Sequence, residues 1–367
     1  NECARVAVSA CRMIVHCQHK GDILVFLAGQ PDVLKAVDMM RYELSQSSCT
    51  ISGERVVCFP LYGALSQGEQ DKVRKSIEAL KCDRKIIFAT NIAETSVTID
   101  GIKFVVDSGR EKVVKLDPRT GWPSLQIQPV TRSSVKQRRG RAGRTSAGWY
   151  VPLYSGAFAE QMLPLRPPEI CRCDLASPLL DVLCLVKEWL PELEMLDPPP
   201  KEAVRRAIDT LTYLEAINEV QGDSIPKPTP KGSQMARLPL SCPQSAAMLI
   251  RASKRDLATS EEVAAIAAML EVGVDRLLKT KDRDRLEEKM CGHRDESGDH
   301  ITLLNLFLEY RHHKEKKMGE RNYIQHWCKR NGIQARVMES AYKVYQQIRQ
   351  AMKRCNIPIL SCPRYLP

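Results

Sequence analysis

Through the first 155 or so residues, short apolar runs alternate with amphipathic stretches. The runs at 23–27 (ILVFL), 55–59, 85–89, 103–106 and 150–153 read as strands. The stretches at 32–44 and 67–80 read as helices, as does the opening segment NECARVAVSACRMIVHCQHK. Apolar runs of this length, separated by helices, predict a parallel sheet covered on both faces. In such sheets ligands gather beyond the C-terminal ends of the strands. Between 110 and 130 the pattern turns to a polar alternation with Pro118, Gly121 and Pro123, which suits a hairpin protruding from the sheet; an ordinary surface loop is the plainer alternative.

From about residue 158 the chain becomes mainly helical, with apolar-periodic stretches at 179–189, 201–214, 244–252, 260–270, 301–310, 320–329 and 333–353. Ser260 is placed to cap the helix that follows it. The Pro-rich LDPPPKE at 196–202, and Pro226, Pro228 and Pro230, mark joints between elements. The charge-dense stretch at 275–299 (KTKDRDRLEEK at its centre) reads as a solvated helix or loop. No repeat of fixed period is present.

Length, charge and cysteine usage narrow this reading further. The 367 residues suffice for two or three domains with a sizeable core. No stretch approaches the roughly 18 uninterrupted apolar residues of a membrane span, and the opening segment lacks the features of a secretory signal. Because the chain opens on Asn1 rather than Met, a partial gene product is expected. The formal charge of +11, from 55 Lys and Arg against 44 Asp and Glu, favours polyanionic partners without naming one. The 14 cysteines form no C-x-x-C pair, and Cys171 and Cys173 are two apart. Paired zinc knuckles are therefore not expected, and reduced thiols of a cytosolic or nuclear protein are. His293 near Cys291, and the pair His312 and His313, read as solvated or packed side chains.

Two segments carry chemistry. The first is QRRGRAGR at 137–144. If Ser133 and Ser134 cap a helix here, Gln137, Arg141 and Arg144 recur at i, i+4 and i+7 and share one face. Gly140 and Gly143 let backbone approach closely. Two guanidiniums and an amide on one face suit a polyphosphate, because Arg offers permanently charged planar forks to phosphate oxygens. The bland reading is an Arg/Gly-rich surface that binds RNA without specificity. The second segment, ATNIAETSVTIDG at 89–101, directly follows the strand at 85–89. Small hydroxyl and amide side chains at a strand end can meet phosphates or sugar hydroxyls. They can equally satisfy only their own backbone.

Together these segments resemble the QRxGRAGR and TNIAETSxTI motifs of the DEAH-box (DEAH/RHA) RNA helicases of superfamily 2. GDILVFLAGQ at 21–30 and LYGALSQGEQ at 61–70 are similar to two further segments of that family. TPKGSQMARLPLSCPQSAAML at 229–249 resembles the end of its winged helix and the entry to its helical bundle. EEVAAIAAML, GDHITLLNLF and WCKRNGI follow in the order expected for that bundle.

The resemblance implies an α/β RecA-like parallel-sheet domain over 1–155, followed by mainly α domains. These would be a winged helix over 156–240, a ratchet-like bundle over 241–355 and a tail over 356–367. It further implies that Gln137, Arg141 and Arg144 face the γ-phosphate of ATP held between two RecA-like lobes, the arginines acting as fingers. Asp100 and Thr98 would approach the ribose, and Arg74 the adenine. Thr90, Asn91 and Gly63 would contact the RNA backbone, and the hairpin would guide or wedge strands during 3′–5′ unwinding. The implied cofactor is ATP with Mg²⁺, the metal held mainly by a first RecA-like lobe. That lobe, RNA and a G-patch activator are the implied partners, in cytoplasm or nucleus and away from membranes.

The chain also departs from the family pattern. Ala28 stands where Thr is usual, and Arg139 replaces a small residue. Arg74 occupies the place of a Phe that stacks on adenine, a role that a guanidinium can also fill. The chain contains neither a G-x-x-x-x-G-K-[ST] loop nor an Asp-Glu-x-His run, and it ends soon after the bundle-like helices, short of the usual oligonucleotide-binding fold. The expectation is a helicase segment that hydrolyses no ATP alone. The main alternative is a catalytically silent module that binds RNA or a protein partner. A DNA or viral helicase of the same superfamily fits the TNIAETS wording less well, and a metabolic phosphate-loop enzyme least.

Overall fold

A computed structural model describes residues 2–17, 20–46, 50–51, 53–65, 67–95, 97–116, 123–142, 144, 147–186, 189–219, 225–277, 294–316 and 321–362. The chain divides into two compact units, Asn1–Arg172 and Cys173–Pro367.

The first unit is built on a sheet whose strands run in the order Thr50–Ile51, Glu54–Leu61, Arg84–Ala89, Asp22–Phe26, Ile102–Asp107 and Trp149–Pro152. Its strands are β1 (Asp22–Phe26), β2 (Thr50–Ile51), β3 (Glu54–Leu61), β4 (Arg84–Ala89), β5 (Ile102–Asp107) and β8 (Trp149–Pro152). All pair in parallel except β2, which meets β3 antiparallel at one edge. The unbroken ILVFL run explains the central place of β1, because every residue of that strand is buried. Its side chains divide between two cores. Ile23 and Val25 pack under α1 (Glu2–His16) and α2 (Gln30–Gln46) with Val8, Cys11, Val37 and Met40. Leu24 and Phe26 face the other side with Val73, Ala93, Val97, Ile99 and Ala142. Burial of each such large apolar side chain stabilises the fold by about 1.5–3 kcal/mol. The second core is roofed by the segments singled out for their chemistry.

One expected element is split. The stretch 67–80 forms two helices, α3 (Gln67–Arg74) and α4 (Ile77–Leu80). Ser76 interrupts it in an extended conformation, its hydroxyl accepting from the Ala79 N–H at 3.2 Å. A local cap thus outcompetes helix continuation. Between β5 and α6 (Arg132–Arg139) the predicted hairpin is present, with β6 (Arg110–Leu116) antiparallel to β7 (Pro123–Pro129). Its Pro118 and Gly121 lie outside the described residues. Paired residues alternate between hairpin faces, and Val114, Leu125 and Ile127 share one of them, more than half exposed.

The second unit is mainly helical. Its helix Ser260–Val272 is apolar nearly all round, with Ala264, Ala265, Ile266, Ala267, Ala268 and Met269 buried. It packs against Pro243–Ala252, Asp299–Lys316 and Ala335–Arg354, as a fully enclosed helix must. Ser260 does not cap this helix as expected. It is the first helical residue, fully buried, and its hydroxyl donates to the Pro358 carbonyl and accepts from the Leu360 N–H, both at 2.8 Å. The stretch 179–189 is also no single helix: Ala176–Asp181 passes into a wider π turn at Val182–Val186, and Trp189 is extended. Of the charge-dense stretch, 278–293 lies outside the described residues, Cys291 and His293 included. Among the described residues no helix is long and apolar enough to cross a membrane.

Candidate functional site

The 89–101 segment begins by extending the sheet. The Thr90 N–H donates to the Leu61 carbonyl at 3.0 Å, beyond the ends of β4 and β3. A single helical turn, α5 (Ile92–Thr95), follows, closed by the Thr90 and Asn91 carbonyls. Ser96 lies outside the described residues. From Val97 the chain alternates: Val97 and Ile99 enter the second core, which turns Thr98 and Asp100 outward.

The arginine segment is built differently from the expectation. The cap of α6 is Thr131, not Ser133 or Ser134, and its hydroxyl accepts from the Ser134 N–H at 3.1 Å. The helix ends at Arg139, with Gly140 as its cap, and Arg141 and Ala142 continue as turns. Gln137, Arg141 and Arg144 therefore do not share a helix face. Gln137 is exposed in the last turn of α6. Arg141 is buried, its guanidinium donating to the Val97 carbonyl at 3.1 Å and also to the Glu94 carbonyl. Burial first, then the neighbouring Arg144 charge, lowers its pKa. Arg144 is exposed and donates to the Thr98 hydroxyl at 3.2 Å. What joins the two motifs is the backbone and hydroxyl acceptors of 94–98, rather than helical periodicity.

Arg138, which sequence reasoning passed over, is the most enclosed of the described residues of the motif. Its side chain is fully buried. It donates through Nε to Glu94 Oε1 and through Nη1 to Asp107 Oδ1, each at 2.7 Å. Its guanidinium also lies over the Phe26 ring, 4.8 Å from the centroid. Asp107 is saturated in turn, accepting from the Gly109 N–H at 2.9 Å and the Tyr150 hydroxyl at 2.7 Å. Its two carboxylate partners together outweigh the desolvation penalty on Arg138 and raise its pKa. The one signal in the sequence is spacing, since Ser134 and Arg138, four apart, form the buried stripe of α6.

The remaining residues divide between the two ends of the strands. Gly63, Thr90 and Asn91 follow the C-terminal ends of β3 and β4. Arg74 and Asp100 line a cavity of about 810 Å³ at the opposite end, where Asp22, Glu54, Lys85 and Lys103 mark the starts of β1, β3, β4 and β5. Of the residues divided in this way, only the first set lies at the C-terminal strand ends. The cavity carries both signs of charge. Lys85 and Asp22 pair at 3.3 Å, and burial raises the Asp22 pKa against the pull of Lys85. Arg74 rests on Asp71 at 3.1 Å, with both side chains exposed.

Comparison with known proteins follows the same division. The helicase conserved C-terminal domain matches residues 7–146, and the helicase associated domain (HA2), ratchet-like, matches residues 242–303. The crystal structure of the E. coli DExH-box NTPase HrpB superposes with a TM-score of 0.64 at 27% identity, covering 93% of this chain. The match spans 37% of the HrpB chain, so the present chain corresponds to well under half of it. A RecA-like parallel sheet followed by a mainly helical region, with both helicase domains in this order, makes the chain a C-terminal portion of a DEAH-box helicase of superfamily 2.

Proposed function

We propose that this chain supplies the second motor lobe and accessory helical domains of an ATP-dependent 3′–5′ RNA helicase. The observation that carries the reading is the seating of Arg141 and Arg144 on the 94–98 segment, which makes one surface of the two motifs. Arg144 is exposed and fits a phosphate group. Exposed Asp100 and Arg74 share a cavity into which a ribose and a base would fit. In this assignment Arg144 and Arg141 act as fingers beside Gln137, Thr98 assists at the ribose, and Thr90, Asn91 and Gly63 hold the RNA backbone. Arg141 leaves the Glu94 and Val97 carbonyls when it meets phosphate.

ATP·Mg²⁺ supplies the phosphoryl group, and a first RecA-like lobe provides most of the metal coordination. Alone, the chain has no phosphate-loop lysine and hydrolyses no ATP. The winged-helix assignment of 156–240 draws support from the antiparallel bridge of Ile217 to Pro228, and 241–355 is the ratchet bundle. A G-patch protein is the proposed activator, in cytoplasm or nucleus.

The test is RNA-stimulated ATPase activity of the chain alone and fused to a DEAH-family first lobe. The expected result is no turnover alone and RNA-dependent turnover in the fusion. A correctly folded fusion that binds RNA without turnover would overturn the motor reading and leave an RNA- or partner-binding module.

A further inference from the structure

We propose that Arg138 is a positioning residue that locks the base of the β6–β7 hairpin to the nucleotide-side segment, so that the two move as one. The inference rests on the motor reading above and adds to it a residue with no proposed ligand contact.

The geometry is a closed loop. On the outgoing side, β5 ends at Asp107, and the chain turns through Ser108 and Gly109 into β6. Gly109 has φ +68°, and a side chain there would lie 2.5 Å from the Tyr154 ring, so the turn is confined to glycine. On the return side, β7 ends at Pro129, the Val130 N–H donates to the Gly109 carbonyl at 2.9 Å, and Thr131 caps α6. Whatever moves the hairpin therefore acts on α6 through a single residue, Val130, before the cap. Arg138 lies two turns into that helix and reaches back to Asp107 at 2.7 Å and the Arg110 carbonyl at 3.4 Å.

The same guanidinium holds the Glu94 carboxylate, whose own backbone carbonyl accepts from Arg141. Glu94 is thus gripped twice by one motif, at the side chain by Arg138 and at the main chain by Arg141. A shift of Arg141 is felt at Glu94 and relayed through Arg138 to the hairpin base. A planar fork can hold two carboxylates in fixed directions, which a lysine ammonium cannot. Glu111, the second residue of β6, is also buried and pairs with Arg166, a second tie at the hairpin base.

The experiment compares Arg138→Lys with the wild type in two measurements. Amide hydrogen exchange on this chain should show the hairpin strands 110–116 and 123–129 exchanging at least tenfold faster, with β1 and β4 unchanged. In the first-lobe fusion, RNA strands separated per ATP hydrolysed should fall at least tenfold. If Arg138→Lys does not fold, Asp107→Asn, which keeps the side-chain shape, carries the same expectations. Exchange that quickens equally in hairpin and sheet, or an unchanged hairpin, would overturn the proposal, as would strand separation and ATP hydrolysis falling in equal proportion. A wild-type fusion without RNA-stimulated turnover would instead sink the motor reading, and the exchange measurement would still decide whether Arg138 positions the hairpin.

Discussion

Arg138 and Arg144 are six residues apart in one motif, and the fold treats them in opposite ways. Arg138 is fully buried, between two carboxylates and over a phenyl ring. Arg144 is exposed and holds one threonine hydroxyl. A buried guanidinium is tolerated only with charges and acceptors to match it, and so becomes part of the scaffold. An exposed one costs the fold little and remains available to a ligand. Residue type alone therefore does not assign a role; the surroundings do.

The largest expected effects separate these roles. Arg138→Met leaves Glu94 and Asp107 buried without their cation and should lower stability by about 3–5 kcal/mol, read as a shift of the urea midpoint. Arg144→Ala should leave that midpoint within about 0.5 kcal/mol of wild type. Equal stability losses in both variants would abolish the contrast.

A smaller effect is expected one step out from Arg138. Tyr150→Phe removes a hydroxyl donor from buried Asp107 and should cost about 1.5–3 kcal/mol in the same unfolding assay. At the surface the scale falls further. Arg74→Ala breaks only the exposed pair with Asp71, which contributes about 0.2–1 kcal/mol.

Burial also sets the last and gentlest contrast, between thiols. Burial pushes the Cys58 thiol from 9.0 up to about 12, whereas Cys17 and Cys242 are exposed. A raised folded pKa favours the protonated form, so the Cys58 contribution is complete below pH 9 and is lost as pH climbs toward 12. Alkylation at neutral pH should modify Cys17 and Cys242 and reach Cys58 only on unfolding, as mass mapping would show.

Much of the first unit was legible in the sequence because its strands are apolar on both faces. ILVFL can hardly be anything but an enclosed strand, and the polar alternation at 110–130 marked the hairpin. The helix boundaries were harder to read. Whether a helix breaks at Ser76 or ends at Gly140 depends on which local cap wins over continuation, a difference of about 1 kcal/mol. Long-range partners were invisible. Arg138 finds Glu94 and Asp107 at separations of 44 and 31 residues, and the Ser260 hydroxyl meets the Pro358 carbonyl 98 residues away. Periodicity reports only which side of an element is buried, not what waits there, and so Arg138 read as one more cation in a basic run.

The phosphate contact of Arg144 is tested by the turnover number of the first-lobe fusion carrying Arg144→Ala, at saturating ATP and RNA. With unfolding unchanged, the finger role of Arg144 predicts a fall of about 10³-fold or more, the scale of a lost arginine finger. Turnover within a few-fold of wild type would contradict it and remove Arg144 from the phosphate site.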